Sequence, residues 1–109
     1  MNEMLTFPRR DARARWDLMV VGSRDLGEGL RRVSLIGGDE LEGVAFYPGQ
    51  VLVLSLPGKR DNRRYAIADF DQVELRLDLD VPIASDPAAA CWLQTAQIGD
   101  PVRAERPRD

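Results

Sequence analysis

The stretch RRYAIADFDQVELRLDLDV, Arg63 to Val81, carries two successive two-residue alternations and decides the fold class of this 109-residue chain. In its first half Tyr65, Ile67 and Asp69 share one face, and Arg64, Ala66 and Ala68 share the other. In its second half Val73, Leu75, Leu77, Leu79 and Val81 stand opposite Glu74, Arg76, Asp78 and Asp80, the pattern of a strand with one wet face. Two adjacent strands of this kind call for a sheet that covers their apolar faces.

Working outward, the same period recurs. Gln50 to Leu56 is a third strand, and because Leu52, Leu54 and Leu56 oppose Val51, Val53 and Ser55, both of its faces are largely covered, as in a closed barrel. Pro57 and Gly58 end it, and Lys59 to Asn62 is a charged loop. Upstream, Trp16 to Val21 is a β-leaning run, Gly22 to Gly29 with its three glycines reads as a turn, and Leu30 to Ile36 is the second strand. Gly37-Gly38-Asp39 breaks that strand, and Asp39 to Glu42 is at most one helical turn before Pro48-Gly49. Downstream, Ser85 or Asp86 can cap a helix that starts at Pro87 and runs to about Ala96, and Val102 to Glu105 is the last strand. The expectation is an all-β domain over 15–109: a six-stranded antiparallel Greek-key barrel with one helix between strands 5 and 6. Residues 1–14 form a polar arm outside it.

Composition limits what such a barrel can do. With 44% hydrophobic and 30% charged residues the chain is globular, and a net charge of −3 without a basic block excludes a dedicated nucleic-acid surface. There is no histidine, which removes Ser-His-Asp hydrolysis and most zinc chemistry, so no metal site is expected. The single cysteine, Cys91, allows no intrachain disulfide. Met1 to Arg15 has four arginines and no long apolar core, unlike a signal peptide or a membrane anchor, so a cytoplasmic location without membrane contact is expected.

Three features can carry binding. A helix N-terminus directly after a strand offers free backbone N–H groups to a phosphate, here at Ala88 to Cys91, or is simply a capped helix closing the barrel. Arg63 on the neighbouring strand can pair with the same anion bidentately, or is a solvated arginine. Tyr65 can stack on a planar ligand, or is a core aromatic. Asp78 and Asp80 share an exposed face, and alternating charge there needs no catalytic reading.

Taken together, these residues resemble the siderophore-interacting proteins, which are ferric-siderophore reductases within the ferredoxin-reductase-like flavoproteins. Leu30 to Leu35, Gly37 to Leu41 and Pro48-Gly49-Gln50 are similar to the family's second strand, its turn and the start of its third strand. Arg63 to Asp71 is similar to a family stretch Arg-x-Tyr-Thr-Val-Arg-x-Phe-Asp. Leu77 to Trp92 resembles, without a gap, Leu-Asp-Val-Asp-Phe-Val-Leu-His-Gly-Asp-Gly-Pro-Ala-Ser-x-Trp. Ile98 to Val102 with Arg106-Pro107-Arg108 is similar to the family's barrel exit.

The resemblance implies a flavin-reductase-type barrel that binds FAD. Arg63 would lie on the phosphates and Tyr65 on the isoalloxazine. Ala66 would lie beside the flavin N5, Ile67 would also belong to the cofactor site, and Ala89, Ala90 and Cys91 would stand at the phosphate turn. It also implies a following nucleotide-binding domain, for which no Gly-x-Gly-x-x-Gly is present, so a separate reductase is expected as electron donor. Four departures cluster where the flavin would sit: Ala66 for threonine, Ala68 for arginine, Ala84 for histidine and Ala90 for serine. Loss of two hydroxyls and a cation weakens affinity by roughly three decades or more, so FAD binding is expected to be weak or lost. The other reading is a flavin-free barrel that holds a small-molecule ligand or acts as a cofactor-independent cyclase, by confinement alone. A barrel without the implied partner domain is expected to expose an apolar side, covered in a homodimer or by a different partner.

Overall fold

The computed structural model describes residues 15–56 and 62–106. The expected arm at 1–14, the end of the third strand at Pro57-Gly58, most of the charged loop 59–62 and the exit residues Pro107-Arg108 lie outside the described residues.

Six strands form: β1 (Arg15–Gly27), β2 (Leu30–Ile36), β3 (Val51–Ser55), β4 (Asn62–Asp71), β5 (Arg76–Val81) and β6 (Pro101–Glu105). A single 3-10 turn, Asp39–Leu41, follows β2, and helix α1 (Pro87–Thr95) joins β5 to β6. They close into one barrel in the order β1-β2-β5-β4-β3-β6, every pair antiparallel, with β6 hydrogen-bonded to both β3 and β1. The expected all-β barrel and its helix between strands 5 and 6 are both present.

Inward residues from every strand meet in one core. Leu18 and Val20 of β1, Val33 and Leu35 of β2, Leu52 and Leu54 of β3, Tyr65 and Ile67 of β4, Leu77, Leu79 and Val81 of β5, and Val102 and Ala104 of β6 are all buried. The outer face of β2 and β5 is wet as the alternation predicts, and its charges pair across strands. Arg32 Nε donates to Asp80 Oδ1 at 2.9 Å, and Ser34 Oγ donates to Asp78 Oδ1 at 2.7 Å. Such half-buried cross-strand pairs help fix the register of β2 on β5.

The structure differs from the sequence expectations at three places, each for a local reason. β1 does not stop at Val21 but continues to Gly27, because its glycine-rich half pairs with Leu30 to Ser34 across a two-residue hairpin turn. Glu28 and Gly29, the turn's central residues, both have positive φ (56° and 75°), the hallmark of a type I′ connection. β5 begins at Arg76 rather than Val73. The Asp71 carboxylate accepts the N–H groups of Val73 (2.9 Å) and Glu74 (3.0 Å), Leu75 turns through φ 56°, and Val73 is left 91% exposed. Those two backbone bonds, led by Glu74, also hold Asp71 below the usual carboxylate range. Finally, a register shift between Ile67 and Asp69 reverses the end of β4, so Asp69 points out and Phe70 packs on Phe46 at 4.9 Å.

Barrel ends are capped differently. At one mouth α1 seats Ala89 and Trp92 in the core. At the other, the segment from Asp39 to Gln50 lays Leu41 and Phe46 over the opening, and Phe46 stands edge-on to Trp16 at 5.5 Å. The hairpin turn is docked against the chain between β5 and α1: the Ala84 N–H donates to the Gly29 carbonyl at 3.1 Å, and a Cβ on Gly29 would stand 2.3 Å from the Ala84 Cβ. Gly29→Ala therefore meets two independent penalties, a strained φ and a clash with the Ala84 Cβ. It is expected to destabilise the fold by about 2 kcal/mol or more. Urea unfolding would show a lower midpoint at unchanged slope, and an unchanged midpoint would refute the packing argument.

Candidate functional site

The residues singled out around Arg63 and the helix start converge at the α1 mouth of the barrel. Local sequence explains why α1 begins where it does. Asp86 is the N-cap, its Oδ1 accepting the Ala89 N–H at 3.2 Å, and Pro87 at the first helical position has no N–H to leave unpaired. Alanines 88 to 90 follow as strong helix formers.

Asp86 does more than cap. Its Oδ2 accepts the Tyr65 hydroxyl at 2.9 Å, and its Oδ1 lies 3.8 Å from Arg63 Nε. One carboxylate thus joins a helix start to two β4 side chains on the same strand face. Arg63 keeps 35% of its side chain exposed, while its buried Nε has no hydrogen-bond partner. A buried donor without a partner is costly, and among the described residues Trp92 Nε1 on α1 and Arg31 Nε on β2 are in the same condition as Arg63 Nε.

Each expected cofactor-binding residue can now be located. Arg63 stands beside the helix start. Tyr65 is only 3% exposed and lies in the core, so no face of its ring is open to a stacking partner; what it presents to the site is its hydroxyl edge. Ala66 is exposed on the outer face, between Val51 and Asp80, and brings no hydroxyl. Ile67 is buried and acts through its backbone, donating to the Gln50 carbonyl and accepting from Gly49, both at 2.7 Å. At the helix start, the Ala89 N–H is bound by the cap, the Ala90 N–H donates to the Asp86 carbonyl at 3.0 Å, and the Cys91 N–H belongs to the helix ladder. Among the described residues the Ala88 N–H makes no hydrogen bond. The Cys91 side chain is an exposed free thiol.

Asp86 is the residue that the sequence reading undervalued. It was visible as one of two candidate caps, and the additional signal was the chemistry of its neighbours: a Tyr and an Arg on one strand face need an acceptor once buried.

The six-stranded closed antiparallel barrel with one helix before its last strand is consistent in fold with the ferredoxin-reductase-like barrel. No protein-family model matches the chain, and no curated protein does. Among solved structures it is similar to the siderophore-interacting protein SipS of Aeromonas hydrophila, with 24% identity and a TM-score of 0.70 over 88% of this chain and 44% of that one. It is similar to the cytochrome P450 reductase GcoB of Amycolatopsis, with 27% identity and a TM-score of 0.70 over 89% of this chain and 29% of that one. Phthalate dioxygenase reductase, described as a modular structure for electron transfer from pyridine nucleotides to a [2Fe-2S] centre, has 20% identity and a TM-score of 0.67 over 95% of this chain and 32% of that one. The chain spans less than half the length of these neighbours. The resemblance to siderophore-interacting proteins and reductases therefore holds at the level of the fold.

Burial first, and then the bond to Asp86, push the Tyr65 phenol well above its ordinary value near 10. The neutral phenol is favoured in the folded state, so the folded chain holds that proton where the unfolded chain releases it. This contribution to stability is complete below pH 10 and declines as pH rises above it. Stability measured by urea unfolding is expected to fall from about pH 10 upward, and Tyr65→Phe to flatten the fall. An unaltered alkaline slope in that variant would disprove the assignment.

Proposed function

We propose that the barrel is a flavin-binding domain that holds the diphosphate of FAD at the α1 mouth. The observation that carries this reading is the buried Arg63 Nε, without a hydrogen-bond partner among the described residues, beside the Asp86-capped start of α1. A phosphate oxygen supplies the acceptor that Arg63 lacks, and guanidinium–phosphate bonds are among the stronger hydrogen bonds available. The similarity in fold to siderophore-interacting proteins and to reductases supports the same choice.

The phosphate half of the site is better provided than the ring half. Ala66 has no hydroxyl to offer a ring nitrogen, and Tyr65 offers an edge rather than a face. FAD would accordingly bind weakly, held chiefly through its diphosphate by Arg63. Electrons would reach it from a nicotinamide-binding unit outside these 109 residues, in the cytoplasm. A second reading, a flavin-free barrel that holds another small molecule, is favoured by the burial of Tyr65 alone.

Titration of the purified protein with FAD, followed by flavin fluorescence, tests the choice. Saturable binding is expected, weakened tenfold or more by Arg63→Gln, the loss that matches one charge-assisted contact. No binding at high micromolar FAD would reject the flavin reading and leave the second.

We also propose that the barrel works as a homodimer or against a partner that covers Met19 and Ile98. These exposed apolar side chains are brought near each other where the Gly99 N–H donates to the Val20 carbonyl and the Val20 N–H to the Asp100 carbonyl. Light scattering is expected to give twice the 12.2 kDa chain mass; a monomer at micromolar concentration would count against self-association.

A further inference from the structure

The barrel's other mouth contains a cavity that the flavin reading does not use. It has a volume of about 680 Å³ and is lined by Trp16, Glu40, Val44, Tyr47, Gln50 and Arg106, among others. The register separates it from the Arg63 site: Arg63 pairs with Leu54, and Gln50 lies four residues back along that strand, roughly 13 Å away at the rise of an extended chain. α1 closes the far mouth, and the Asp39 to Gln50 segment forms the wall of this one. Its size falls within the range of small-molecule sites.

Its lining specifies a ligand class. The Arg106 guanidinium lies over the Trp16 ring, 5.8 Å from the centroid, while Trp16 itself is anchored by Phe46. The contact with the indole places the guanidinium at the cavity, where its N–H groups can meet a carboxylate. Tyr47 is 64% exposed beside it, an uncommon state for a large aromatic that has a core nearby, and its backbone is held by the Gln50 side chain, which accepts the Tyr47 N–H at 3.0 Å. Glu40 adds an acceptor to the wall. A cation, an aromatic face and a carboxylate around one cavity complement a planar ring that carries an acid group and a hydrogen-bond donor.

We infer that this mouth is a second binding site, for small aromatic carboxylates bearing a hydroxyl or amino donor. The carboxylate meets Arg106, the ring lies against Tyr47, and the donor faces Glu40 or Gln50. The site is independent of flavin binding, so it stands whether or not FAD binds at the α1 mouth.

Amide NMR of the full chain titrated with a hydroxynaphthoate tests it, with naphthol and naphthoate as matched probes. Saturable shifts are expected at Gly43, Tyr47 and Gln50, with naphthol binding about tenfold more weakly for want of the acid group. Arg106→Gln and Tyr47→Ala, both at exposed positions, should each weaken binding about tenfold, and Arg63→Gln should leave it unchanged. Absence of shifts at roughly millimolar probe, equal affinity for naphthol, an unaffected Arg106→Gln variant, or shifts centred on Arg63 would each overturn the proposal.

Discussion

Closure by β6 is the constraint on which the rest of this structure depends. The strand has five residues, yet it pairs with β1 from Arg15 to Met19 and with β3 from Val53 to Ser55, and without it the sheet would be left with two open edges. Its inward residues, Val102 and Ala104, are small because the strand crosses where the side chains of five other strands already meet. α1 delivers β6 to that position. After the helix, Asp100 accepts the Gln97 N–H at 2.9 Å and turns the chain into the closing strand.

The same connection builds the α1 mouth. Because α1 must reach across the opening, its first residue lands beside β4, and Asp86 becomes the acceptor shared by Ala89, Tyr65 and Arg63. A neutral core aromatic, a capped helix and a cation are thereby held by a single carboxylate, so structural and binding roles cannot be cleanly divided among these residues. Tyr65 belongs chiefly to the core, Asp86 to both, and Arg63, with its unpartnered nitrogen, points to what the site still accepts. The opposite mouth has another logic. There the aromatic residues Trp16 and Phe46 brace one another, and the polar groups are left on the wall of a cavity.

Much of the barrel was legible from alternation alone. Leu77, Leu79 and Val81 are fully buried on the face the pattern assigned them, and the lengths of β2 and α1 follow their breakers and cap closely. The misread segments share a cause: each depends on a backbone turn or bulge of only one or two residues. A positive φ at Leu75, a hairpin at Glu28-Gly29 and a bulge after Ile67 each redirect every side chain beyond them, and period-two reasoning carries no warning of such steps.

By itself the sequence determined the strand count, the helix with its Asp86-Pro87 start, and the presence of Arg63 and Tyr65 on one strand face, because these follow from local periodicity and local hydrogen bonding. Only the tertiary structure decided that Tyr65 turns inward onto Asp86, and that Trp16 and Arg106, ninety residues apart in the chain, line a common cavity. Those outcomes depend on which strands become neighbours and in what register. That choice is made by burial of the whole core at once, a sum over distant contacts that no single stretch of sequence contains.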